Sequence, residues 1–117
     1  NSHLALSVSL TSKLGRYTSD RLLRALACGV PTLVKQFADI ESYGIRHGEN
    51  ALIWDSPKQA MRLVAEALGR PAEWRRTIGK AGAKLMREHH TWLVRMHEMA
   101  VYLAAIRGAT TGVVYQP

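Results

Sequence analysis

Along the first half of the chain the apolar positions switch between two periods. Leu4-Ala5-Leu6-Ser7-Val8-Ser9 alternates like a short strand, weakened by Ser7 and Ser9. Lys13 to Tyr17 reads as loop. Thr18-Ser19-Asp20 then offers capping side chains, and Leu22, Leu23, Leu26 and Ala27 form the apolar stripe of a helix. That helix is expected to stop at Gly29, with Pro31 just beyond. Pro31-Thr32-Leu33-Val34-Lys35 predicts a second strand. Asp39 to Tyr43 predicts one or two helical turns, and Asn50-Ala51-Leu52-Ile53-Trp54 a third strand. Ser56-Pro57 is a strong helix start, an N-cap followed by proline in the first turn. Ala60, Leu63, Val64, Ala67 and Leu68 continue that helix to Gly69.

The second half predicts helix only. Trp74, Ile78, Ala81 and Leu85 fall on one face of a segment that begins near Pro71. A break is expected at His90-Thr91, with Thr91 able to cap the next helix. Trp92, Met96, Met99, Leu103 and Ile106 then recur at alternating steps of four and three, a narrow seam suited to core packing or to docking on another element. Gly108 is expected to end this helix, dividing the chain into a domain over residues 1–108 and a tail over 109–117. Short strands alternating with helices predict an α/β fold: a small parallel sheet with helical crossovers and two or three C-terminal helices. Such sheets bind ligands at the carboxyl ends of their strands. Here that edge comprises Leu10 to Asp20, Gln36 to Glu41 and Asp55-Ser56.

Composition narrows the class. The 117 residues are 47% hydrophobic and 21% charged, which fits one globular domain. A single cysteine, Cys28, excludes an internal disulfide and a four-cysteine zinc site, and its place on a helix suggests a small buried hydrophobe. His3, His47, His89, His90 and His97 lack the convergent spacing of a metal site, so no metal is expected. No apolar run reaches the ~20 residues of a membrane span. The opening Asn1-Ser2-His3, without a leader pattern, suggests a cytoplasmic protein or a piece of a longer one. The net charge is +7, and it is uneven: six bases face five acids over residues 1–57, and ten face four over 58–117. A basic C-terminal half attracts polyanions, including anionic membrane and nucleotide phosphates. Nucleic acid is not the expected partner, because aromatics are sparse and no recognition helix stands out.

Ser19-Asp20-Arg21-Leu22-Leu23-Arg24-Ala25-Leu26-Ala27-Cys28-Gly29-Val30-Pro31-Thr32-Leu33-Val34 is the most informative stretch. It resembles the helix-turn-strand signature in the C-terminal domain of GT-B-fold glycosyltransferases, where a helix ends in Ala-Cys-Gly-x-Pro before a strand. Gly48-Glu49-Asn50-Ala51-Leu52-Ile53-Trp54-Asp55 resembles the next strand of that family, and Ser56 to Leu68 its following helix. The Trp74–Leu85 segment and the His90-Thr91-Trp92 break are similar to its tail. The resemblance covers about residues 3–107 and is closest to the glycosyltransferase group 1-like branch of spore-maturation-type and cell-surface polysaccharide enzymes.

The resemblance implies a Rossmann-like half of a donor domain that binds a nucleotide-diphosphate sugar. The acceptor would sit on an N-terminal domain or partner chain, nothing of which is recognisable here. The catalytic base would come from there too, so the chain alone is expected to be incomplete for catalysis. No obligatory metal or other cofactor is implied. Many members carry two glutamates eight positions apart that contact the donor sugar and the ribose; the matching positions are Arg16 and Arg24. Arginine only donates hydrogen bonds, so a ribose clamp by Arg24 is not expected: either forked pairing with phosphate replaces it, or donor binding is lost. Thr18, Ser19 and Arg21, at the start of the motif helix, would hold the diphosphate through free N–H groups, the helix dipole and positive charge. The same residues serve equally well as an ordinary N-cap. The loop Gln36-Phe37-Ala38-Asp39-Ile40-Glu41 reaches the donor sugar in the family, with Glu41 first and Asp39 second as the acidic contact. Asp39 reads equally as the cap of the short helix, with Glu41 in solvent. The competing function is a non-catalytic, truncated domain acting as a basic interaction module for nucleic acid, anionic membrane or a protein partner, with peripheral contact to the inner face of the membrane left open.

Overall fold

The computed structural model describes residues 2–8 and 20–111, which fall into two compact units, Asn1–Arg87 and Glu88–Pro117. The first unit is the α/β fold that the pattern predicts. Its strands are β1 (Ala5–Ser7), β2 (Thr32–Lys35) and β3 (Leu52–Trp54), all parallel, in the spatial order β1-β2-β3. Leu6 lies beside Leu33, and Leu33 beside Leu52. Each strand is shorter than its apolar run suggests.

Helix α1 (Asp20–Ala27) connects β1 to β2 and α2 (Pro57–Gly69) follows β3. Because β2 has a neighbour on each side and helices over both faces, its residues Thr32, Leu33 and Val34 are all buried. Alternation sends them to different layers. Val34 packs with Leu22, Leu26, Phe37, Ile40, Ile45, Ala51 and Met86, while Leu33 packs with Leu52, Trp54, Ala67 and Ile78. Each buried aliphatic side chain contributes about 1.5–3 kcal/mol relative to exposure.

The turns are made as their chemistry requires. Gly29 adopts φ 77°, and its N–H bonds the carbonyl of Leu26, ending α1. At α2, the Ser56 hydroxyl accepts the Gln59 amide (3.2 Å), and the Gln59 side-chain oxygen accepts the Asp55 amide (2.9 Å). Its other end is closed by Arg75, whose guanidinium donates to the carbonyls of Ala67 and Arg70, both at 2.9 Å.

Helix α3 (Ala72–His89) departs from the expected face. Trp74, Ala81 and Leu85 are half-buried, and the buried set is Ile78, Gly79, Gly82, Ala83 and Met86. This arc lies about 100° further round the helix, one residue's rotation. The cause is close backbone packing. A Cβ on Gly79 would lie 2.0 Å from the Gly29 carbonyl oxygen, and one on Gly82 2.9 Å from that of Asn50. Gly29 leads into β2 and Asn50 precedes β3, so α3 crosses the sheet at the amino ends of these strands.

Two further expectations fail near α1. Ala27 and Cys28 are exposed rather than buried. Cys28 follows Leu26 by two residues, about 200° of helical rotation, which carries it away from the core.

In the second unit, α4 (Trp92–Thr111) starts where expected, with the Thr91 hydroxyl accepting the Val94 amide. Gly108 does not end it; one helical glycine costs ~1 kcal/mol but breaks nothing. The Trp92–Ile106 seam is not core, since Trp92 is 84% exposed and Met96, Met99, Leu103 and Ile106 are exposed as well. Leu93, Val101 and Tyr102 are exposed on other faces, so α4 is apolar around much of its surface.

Candidate ligand-binding edge

The carboxyl ends of the strands face away from α3. A helix linking parallel strands runs back along the sheet, which puts the first turn of α1 at this edge together with the loop after β2 and the start of α2. Of the candidate residues, Arg16, Thr18 and Ser19 lie outside the described residues. Arg21 is exposed on the first turn of α1, and Arg24 is exposed one turn along on the same face. Leu22 and Leu26, on the opposite side, anchor that helix in the core.

The loop after β2 divides its residues between core and solvent. The Gln36 backbone amide donates to the Trp54 carbonyl (2.7 Å), extending the β2–β3 pairing by one bond, and its side-chain amide turns to the Phe37 carbonyl. Phe37 is buried edge-on to Tyr43, with ring centres 5.8 Å apart. It therefore anchors the loop, and its side chain is not at the surface. Asp39 and Glu41 are exposed. Asp39 has φ 62°, ψ 26°, the left-handed region that disfavours most side chains. It precedes the 3-10 turn Ile40–Tyr43, yet its carboxylate does not cap that turn. The Asp39 carbonyl holds the turn instead, accepting from the Ser42 amide (2.9 Å) and hydroxyl (2.7 Å). The Asp39 side chain is thus left exposed.

Beside this loop stands a contact that pattern reading missed. The Lys35 ammonium, at the end of β2, bonds the Asp55 carbonyl (2.9 Å) and carboxylate (3.2 Å) and lies 5.3 Å from the Trp54 ring centre. With Asp55 79% exposed, the ion pair itself adds little stability. Its effect is geometric: it ties the ends of β2 and β3 together under the loop. A lysine closing an apolar strand was the available signal. The Trp54 indole N–H is buried without a hydrogen-bond partner, the one such side-chain atom among the described residues. No group of three His, Cys, Asp or Glu among the described residues could hold a metal ion, and none of the described helices is long and apolar enough to cross a membrane.

A three-stranded parallel sheet with crossover helices defines a Rossmann-like half-domain. Its family is given by sequence: the glycosyl transferase-like family matches residues 1–100, and the chain is a member of it. No curated protein matches the chain.

Proposed function

We propose that the first unit is the donor-binding part of a glycosyltransferase of the GT-B type, in the spore-maturation-like branch, and that its carboxyl edge holds the diphosphate of a nucleotide sugar. The observation that carries this reading is Arg21, exposed on the first turn of α1 at the carboxyl edge of the sheet, where the loop after β2 also begins. A cation and a helix end neutralise the charge that builds on a departing diphosphate. Exposed carboxylates accept hydrogen bonds from sugar hydroxyls. The start of α2 is a poorer anion site, because Ser56 and Gln59 already take up two of its neighbouring amides. In this proposal Arg16, Thr18, Ser19 and Arg24 complete the phosphate side, and the Gln36–Glu41 loop the sugar side.

The acceptor is assigned to a second domain or partner chain, with no catalytic base on this chain and no obligatory metal. Polysaccharide synthesis in the cytoplasm is the corresponding setting. The chain alone is expected to show no transfer, because half a cleft neither positions an acceptor nor excludes water. Amide NMR titration with uridine, guanosine, adenosine and cytidine diphosphates tests the site. At least one should shift the resonances of residues 20–24 and 36–41; shifts confined to α2 or α3 would overturn the assignment. A second reading, a non-catalytic interaction module, is favoured by one observation, the exposed apolar surface of α4.

A further inference from the structure

Four of the ten bases of the C-terminal half form one row. Arg76, Lys80, Lys84 and Arg87 are all exposed on α3 at steps of four, four and three. They occupy about 80° of the helix circumference and about 16 Å of its length. The buried arc, centred near Met86, lies about 130° round the helix from the middle of the row. Neighbouring bases are engaged elsewhere: Arg75 turns inward to the end of α2, and Arg70 stacks over the Trp74 ring at 4.9 Å. Two acids flank the row, Glu73 before it and Glu88 after it, with the four cations between.

We propose that this outer face of α3 is a docking surface for an anionic lipid bilayer. The charge is complementary, and the row is straight and lies on a convex helix, so it meets a flat surface without needing a recess. The row holds no aromatic side chain for stacking bases, the feature that accompanies cations where single-stranded nucleic acid is bound. The position is independent of the proposed donor site. Because α3 crosses the amino ends of β2 and β3, a bilayer on its outer face leaves the carboxyl edge open to water.

Flotation with vesicles of phosphatidylcholine containing about 30% phosphatidylglycerol tests this, with pure phosphatidylcholine as the comparison. The full chain should float with the anionic vesicles only, and 0.5 M salt should release it. Replacing one cation by glutamine should weaken partitioning about fivefold, and Arg76→Gln with Lys84→Gln about 25-fold. The fourfold variant, with Lys80→Gln and Arg87→Gln added, should not float, while its circular dichroism stays that of the parent. The double variant carries the test if the fourfold one does not fold. Equal flotation with neutral vesicles, retention by a folded variant, or failure to float at low salt would each overturn the proposal. So would preference for a DNA or RNA oligonucleotide over the anionic vesicles.

Discussion

Replacing Gly79 by alanine sets two effects of opposite sign against each other. Helix propensity favours alanine by about 1 kcal/mol in the interior of α3. Against this, the new Cβ would stand 2.0 Å from the Gly29 carbonyl oxygen, 2.8 Å from its carbon and 3.3 Å from Pro31 Cδ. Two of these are backbone atoms in a turn whose φ of 77° leaves little freedom to retreat. Restoring contact distance requires α3 to move more than about 1 Å, loosening Ile78 and Met86 from the two halves of the core. Overpacking of this kind costs about 1–3 kcal/mol, and steric conflict with backbone lies at the upper end. The expected net loss is therefore about 2 kcal/mol, or roughly 8–16 °C in Tm for a unit of this size. Urea unfolding followed by circular dichroism should show a lower midpoint with an unchanged slope. Gly69→Ala is the matched control: nothing lies within 4 Å of its Cβ, so propensity acts alone and stability should hold or rise slightly. Gly82→Ala, at 2.9 Å from the Asn50 oxygen, should fall between them. A Gly79→Ala protein as stable as its parent would refute the close crossing of α3.

Ser56→Ala should cost about 1 kcal/mol, measured by the same unfolding experiment, because it leaves the Gln59 amide without its cap. Asp39→Gly should raise stability by about 0.5–1 kcal/mol, since glycine accepts the left-handed backbone freely. If Asp39 serves the donor sugar, the same variant should weaken nucleotide-sugar affinity while leaving nucleoside-diphosphate affinity intact, as read by calorimetry.

The order of elements was legible because it rests on local signals with a physical basis. The Ser56-Pro57 start, the Gly29 stop and the branched centres of the strands all act through their own backbone neighbourhood. The rotation of α3 was not legible. Glycine carries no hydrophobic signal, so Gly79 and Gly82 drop out of an apolar periodicity although they make the closest contacts. The α4 seam misled for the converse reason: a four-three repeat says that a face can pack, not that this chain supplies its partner. A place on a helix does not by itself bury Cys28; its angular position decides its exposure. Arg21, Asp39 and Glu41 enter as candidates through the family resemblance; the turn signals around them indicate only a helix cap and a short turn. The Lys35 contact with Asp55 and Trp54 joins residues about twenty apart, and only the parallel pairing of β2 with β3 brings them together.

The most direct test of the ligand reading is calorimetric titration of the chain with a nucleoside diphosphate and with the corresponding nucleoside. With phosphate as the recognised group, the diphosphate should bind weakly and the nucleoside not at all. Added salt should reduce the affinity, and joint replacement of Arg16 and Arg21 should abolish it, since charge-assisted contacts contribute about 1.5–3 kcal/mol each. Equal affinity for nucleoside and diphosphate would contradict the phosphate-led site, and binding of neither would leave the interaction module as the better account.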